Sequence, residues 1–264
     1  FAKHPYGIPP MGTEESLRAI TAEHAREWHK SRVLESALVI GVVADMDPRQ
    51  IADLVAREFG ALQTAKAPKV GKPRWPKSVK IAAESRDKAQ TAIALAFPGP
   101  SRSEESRFAA SLIATVASGL GGRFFDELRD RQSLAYTVQA SASGKRLAGM
   151  FLSYIATSPE KEGVARSGLL AEFAKLRDKT VTAEELTRAK EYVVGSHAIS
   201  QESGAALLGE MLDAWIFGEG LRELLEYDDR VRAVSADQMR DVARKYFDPE
   251  KRVEGIVRGV GKTV

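Results

Sequence analysis

The chain has no cysteine among its 264 residues. That absence excludes disulfides, thiolate zinc sites and a cysteine nucleophile, and it suits an oxidising compartment as well as a reducing one. Histidine is scarce too, at four residues: His4, His24, His29 and His197. No apolar run is long enough to span a bilayer, and the longest, residues 37–44, has the length of a buried strand. Neither sign of charge dominates: 39 basic and 36 acidic residues give a net charge of +3, spread along the chain. This balance offers no stripe for nucleic acid. The chain begins at Phe1 without a signal-like segment, so the expectation is that its true amino terminus has been removed or lies in a part outside this sequence.

What is present reads as an ordinary globular composition, 44% hydrophobic and 28% charged, enough for one large core or two modest ones. Two segments 214 residues apart are similar. Residues 20–27 (Ile-Thr-Ala-Glu-His-Ala-Arg-Glu) match residues 234–241 (Val-Ser-Ala-Asp-Gln-Met-Arg-Asp). In each, a hydroxyl residue is placed to cap a helix, and a basic patch then leads to a strand, at 37–43 and 253–260. Read as a repeat, the chain ends the same unit twice. The expected division is residues 1–63 as the tail of a first domain, 64–78 as a Pro/Lys-rich linker and 79–264 as a complete second domain. By the offset, about 130 residues of the first copy would precede Phe1.

Along the second domain the pattern predicts strands at 79–84 and 89–97, closed by Pro98-Gly99-Pro100. A helix follows from Ser103 to Gly119, with Phe108, Leu112, Ile113 and Val116 inward. Strands are expected at 134–141 and 148–156, then a helix from Pro159 with Val164, Leu169, Leu170 and Phe173 inward. Thr182 and Glu185 form a capping box for a long helical region running to about Phe217. Paired strands with longer helices on one side describe an α+β sandwich.

His24 and His29 are five residues apart and point about 140° apart on a helix, so they cannot close on one metal with Glu27 between them. No His-x-x-Glu-His occurs anywhere, and no metal ligand set is assigned to this chain. Gly119, Gly121 and Gly122 could form an anion nest, but no Lys-Ser/Thr follows them. A tight, substrate-facing turn is the simpler reading. Ser196-His197 and Ser200 lack the Gly-x-Ser-x-Gly elbow of a serine hydrolase.

Residues 118–138, Ser-Gly-Leu-Gly-Gly-Arg-Phe-Phe-Asp-Glu-Leu-Arg-Asp-Arg-Gln-Ser-Leu-Ala-Tyr-Thr-Val, are the most informative stretch. A Gly-rich turn enters a short helix that breaks at Gln132-Ser133 and becomes a strand. On spacing alone, Arg129 could pair with Asp126 or Glu127, and Tyr136 could share one strand face with Leu134 and Val138. The stretch resembles the second domain of the M16 metallopeptidases, the pitrilysin, insulinase and mitochondrial processing peptidase family, in its bacterial form. His4-Pro5-Tyr6-Gly7, Gly12-Thr13-Glu14-Glu15-Ser16 and residues 42–47 look like the end of that family's first domain.

The resemblance implies a LuxS/MPP-like metallohydrolase fold in repeated domains enclosing unfolded peptides. It implies that Arg129 and Tyr136 reach a zinc site carried by another domain or subunit, where they bind substrate and stabilise the oxyanion. Gly119, Gly121 and Gly122 then face the substrate. The helix reading Arg107-Phe108-Ala109-Ala110-Ser111 stands where a zinc helix would lie, without ligands. The implied partners are a peptide and a zinc-bearing M16 domain or subunit in a homo- or heterodimer, in the periplasm or cytoplasm. The alternative is a non-catalytic scaffold subunit of the processing-peptidase or respiratory core type.

Overall fold

The computed structural model describes residues 1, 3–62, 69–119 and 121–261. They gather into two units, residues 1–73 with 200–221 and residues 74–199 with 222–264.

The second unit is built on one mixed five-stranded sheet. Its strands are β1 (Lys80–Arg86), β2 (Thr91–Gly99), β3 (Ala135–Gly144), β4 (Gly149–Thr157) and β5 (Val253–Gly259), in the order β1-β5-β2-β4-β3. β1 pairs parallel with β5, and the other pairings are antiparallel. The two edges are therefore β1 and β3. Period-2 alternation on β2 sends Ile93, Leu95 and Phe97 into the core and leaves Ala92, Ala94 and Ala96 partly exposed. Pro98 and Gly99, expected to close this strand, lie within it and pair with Met150 and Gly149. Pro98 is tolerated because it sits near the strand's end, where few ladder bonds are lost.

Helices α4 (Arg107–Ala117), α5 (Glu162–Asp178) and α9 (Ala236–Tyr246) cover the buried face. Five phenylalanines form the layer between. Phe97 packs on Phe173 and Phe247 at ring distances of 4.9 and 5.3 Å, Phe124 on Phe173 at 5.2 Å, and Phe151 on Phe247 at 4.7 Å. Leu169 and Phe173 are buried as expected, but Val164 is exposed. It lies on the outward side of the first turn of α5, beside the fully buried Ala165. Three glutamates are buried among the described residues of this unit, Glu172, Glu223 and Glu254, and Glu254 of β5 is held by Arg166 and Arg252. Burial alone would raise its pKa, yet hydrogen bonds from the two guanidinium groups hold it below the ordinary carboxylate range.

The first unit contains α1 (Glu14–Ala19), α2 (Ala22–His29), α3 (Pro48–Phe59) and α7 (Gly204–Phe217). Both copies of the repeated segment carry the same local device. Thr21 and His24 form a reciprocal capping box on α2, and Ser235 and Gln238 form one on α9. The following segments diverge. Residues 253–259 form β5, whereas residues 37–44 are not assigned as a strand, contrary to expectation. A strand exists only through ladder partners, and among the described residues none lies beside this run. Leu38, Val39, Ile40, Val42 and Val43 stay 38–44% exposed, and Ala214 is the sole buried residue among the described ones of this unit.

The contacts do not follow the linear division read from the sequence. Helix α7 lies with residues 1–73, its Leu208 and Leu212 against Gly41. Of the expected linker 64–78, residues 64–68 lie outside the described residues, while the Trp75 indole donates to the carbonyl of Lys251. The remaining helices, α6 (Ala183–Ser200) and α8 (Arg222–Ala233), complete the second unit.

Phe247 touches three of the other four rings in the aromatic layer. Replacing it with alanine should cost about 3–5 kcal/mol of stability, read by urea unfolding. Phe59→Ala, at a 45% exposed position, should cost far less. Equal losses would mean that the aromatic layer is not the stabilising centre.

Candidate functional site

Residues 125–131 do not form an α-helix. Phe125–Arg131 is wound as a π-helix, with the Gln132 amide donating to the Glu127 carbonyl five residues back. Such turns are uncommon and concentrate at functional positions. The segment ends at Ser133, which takes a left-handed φ of 50°. The Ser133 and Leu134 amides cap the carbonyls of Arg129 and Leu128, both at 2.9 Å. This reversal brings the π-helix back alongside β3.

Within β3 the pairing to β4 slips between Ala135 and Thr137, so Tyr136 is the extra residue of a β-bulge. The expected common face of Leu134, Tyr136 and Val138 is thereby broken. Leu134 and Val138 are buried, and Tyr136 is 79% exposed. Among the described residues the tyrosine hydroxyl makes no hydrogen bond.

Arg129 does not pair with Asp126 or Glu127 either. Arg131 takes both carboxylates, Asp126 at 2.9 Å five residues back, a spacing that π winding brings over one another, and Glu127 at 3.6 Å four residues back. The Arg129 guanidinium instead lies between two rings, 4.2 Å from the centre of Phe125 and 5.0 Å from that of Tyr136. Its carboxylate neighbour, Asp130, is 3.9 Å away, at the limit of an ion pair. A guanidinium held on two rings and an exposed phenol thus sit close together.

A groove of about 730 Å³ opens further along β3. Ser111, Thr115 and Ser118 of the α4 side, Ala140 and Ala142 of β3, and Tyr192 of α6 line it. Gly119 and Gly121 are in its wall, whereas Gly122 is not among the lining residues. Gly119 has φ +85°, a conformation that disfavours side chains. At Gly122 a Cβ would fall 2.2 Å from the Ser118 carbonyl oxygen, so this glycine serves the tightness of the turn.

The turn is tied to α6 by two arginines. Arg123 makes a bidentate pair with Glu185 at 2.6 and 2.7 Å, and Arg188 donates to the Gly121 carbonyl at 3.2 Å. Glu185 was legible as the capping partner of Thr182, and it does accept from the Thr182 amide at 2.8 Å. Its second role, across 62 residues, has no local sequence signal.

Among the described residues no three His, Asp or Glu side chains converge as a metal site. His24 and His29 are exposed on α2, His4 bonds the Gly71 carbonyl at 2.9 Å, and His197 meets Asp228 at 3.2 Å. The groove wall contributed by α4 carries Ser111, Ala114 and Thr115. These residues do not fit zinc. No described helix is long and apolar enough to cross a membrane.

The second unit is thus an α+β domain, a helix-covered mixed sheet with no converging ligand set among the described residues. The comparisons agree: residues 19–193 match the peptidase M16 inactive domain, and the chain belongs to that family. It is 26% identical over 258 residues to an uncharacterized zinc protease of Streptomyces coelicolor, covering 92% of this chain and 55% of that protein. A counterpart in Mycobacterium tuberculosis is 29% identical over 186 residues, covering 64% of this chain and 42% of that protein. The chain thus spans about half the length of the curated relatives it matches.

Among solved structures, the peptidase M16 inactive domain from Pseudomonas fluorescens superposes with a TM-score of 0.86. Identity is 22%, over 100% of this chain and 64% of that one. A protease from Helicobacter pylori superposes at 0.80, with 17% identity, over 94% and 61%. These likenesses show the fold.

The Arg123 hydrogen bonds outweigh partial burial and lower the Glu185 pKa from 4.5 to about 2. A carboxylate depressed in the folded state stabilises fully above its ordinary pKa, and that stabilisation drains away as pH falls from 4.5 toward 2. Glu185→Gln should therefore cost about 3 kcal/mol at neutral pH and almost nothing at pH 2, read by urea unfolding across pH. A difference that does not change with pH would remove the ion pair from this account.

Proposed function

We propose that this chain supplies the substrate-binding and oxyanion-stabilising part of an M16-type zinc endopeptidase, working at a zinc site carried by another domain or subunit. The observation carrying this reading is the placement of Arg129 between Phe125 and Tyr136, with the tyrosine hydroxyl exposed and uncommitted. A surface arginine serving only stability would be expected to use the carboxylates of its own segment.

Peptide hydrolysis develops negative charge on the carbonyl oxygen, and donors already aimed at it lower the barrier. Arg129 brings a permanent positive charge whose orientation the two rings restrict. Tyr136 brings a neutral donor, turned outward by the bulge. Zinc, when bound by the complementary domain, would polarise the same carbonyl. The groove beside Gly119 and Gly121 is the seat for an extended stretch of the peptide.

Tyr136→Phe keeps the ring on Arg129 and removes only the hydroxyl. Assayed with the zinc-bearing partner, it should lower kcat about 100- to 1000-fold, equivalent to about 2.7–4 kcal/mol. The melting temperature should hardly move, since the side chain is exposed. Unchanged kcat would return the chain to the scaffold class.

The open first unit supports a second part of the proposal. Residues 1–63 complete their core with structure from a zinc-bearing M16 domain, and the working assembly is a homo- or heterodimer. The run 37–44 is apolar and extended, and a ladder partner would satisfy its backbone groups and cover its side chains. Amides of residues 38–43 should exchange within seconds in this chain alone and become protected by orders of magnitude when the zinc-bearing domain is added. Protection in the isolated chain would show a closed unit and defeat this part.

A further inference from the structure

Beyond the α4 end of the groove lies a pocket of about 50 Å³ that shares Ser111 and Ala142 with it. Arg107, Ser143 and Gly144 also line this pocket. Arg107 and Arg102 both bind the same oxygen, Oε1 of Glu223, Arg107 at 2.9 Å. The Glu223 side chain is 5% exposed, and its Oε2 and the Nη1 of Arg102 are buried with no partner among the described residues.

Two guanidinium groups therefore face one carboxylate in a sheltered place. The neighbouring Arg230 is held by Glu226 at 2.7 Å and Glu105 at 3.4 Å, neither of which is bonded to Arg107 or Arg102. Burial first, and the Arg102 charge next, press the Arg107 pKa downward. A second anion beside Arg107 would relieve that pressure.

We infer that this pocket takes a carboxylate of the peptide lying in the groove. The inference rests on the peptide-binding reading of the groove given above. A space of about 50 Å³ admits a group little larger than one or two waters, which suits a carboxylate and excludes a ring. Arg107 already gives an Nη1–H to the Arg102 carbonyl at 2.9 Å and an Nη2–H to Glu223, so a carboxylate in the pocket is met by the N–H groups that remain.

Position adds a length rule. From Tyr136 to Ala142 and Gly144 is six and eight residues along β3, or about 20–26 Å at the rise of a strand. An extended peptide with its carboxylate at Arg107 presents a bond roughly six to eight residues upstream to Arg129 and Tyr136. The carboxylate has two chemical sources, a free carboxyl terminus and an Asp or Glu side chain.

Fluorescence anisotropy of dye-labelled decapeptides with the purified chain separates these cases. Three versions of one sequence suffice: free acid, carboxyl-terminal amide, and an amide whose last residue is Glu. The free acid should bind at least about tenfold tighter than the plain amide. The Glu-amide identifies the source: binding like the acid means that a side-chain carboxylate suffices, and binding like the amide means that the terminus itself is read.

The paired variant Arg107→Gln with Glu223→Gln removes the guanidinium that lines the pocket together with its carboxylate partner, leaves Arg102, which does not line it, and should abolish the preference. Arg107→Lys, which keeps the charge but not the fork, should reduce it, and circular dichroism checks that both fold. Equal affinity of acid and amide, or a preference surviving both variants, overturns the carboxylate pocket and leaves the groove standing. Failure of all three peptides to bind overturns both.

Discussion

The second unit depends on packing one sheet face against helices through a layer of phenylalanine rings. Phe97 and Phe151 project from adjacent strands, Phe173 from α5 and Phe247 from the end of α9, with Phe124 closing the layer beside the glycine turn. Rings meeting edge to face fix the distance between helices and sheet more tightly than aliphatic side chains would. Phe124 precedes the π-helical segment directly, so its anchoring sets where Phe125 and Arg129 begin. The chemistry at the β3 edge thus inherits its position from the core.

That edge gathers the features of interest. β3 is the last strand of the sheet, so no further strand crowds its outer side. The bulge turns Tyr136 outward at one end, and the groove and the arginine-lined pocket follow toward Gly144. Family membership gives the arrangement its context. A domain in which no metal ligand set converges among the described residues holds a cation and a phenol close together at this edge.

Much of this was legible in the sequence, and the misses have physical causes. The strands of the second unit, α5 and the Thr182–Glu185 capping box follow from periodicity and local spacing, whereas Arg129 and Tyr136 were singled out by the family resemblance. Period 2 failed at Tyr136 because the bulge leaves that residue out of the ladder and turns it outward while Leu134 and Val138 stay buried, and a bulge leaves no compositional mark. The pairing of Arg129 with Asp126 or Glu127 failed because α-helical spacing was assumed where the backbone is π-wound. Residues 37–43 have strand composition, but composition does not supply a neighbour to pair with. Arg123 with Glu185, and Arg102 and Arg107 with Glu223, join residues far apart in the chain and become visible only once α4, α6 and α8 are packed.

Helix α7 lies between α6 and α8 in the chain yet groups with residues 1–73. The polypeptide therefore passes between the units three times, near residues 73, 199 and 221. No single cut can release either unit whole. A fragment starting at residue 74 would carry α7 as an orphan, its Trp215 and Ile216 already 62% and 43% exposed and its contacts at Gly41 gone. The two units are interlaced in connectivity, so any excision of one must also excise or replace residues 200–221.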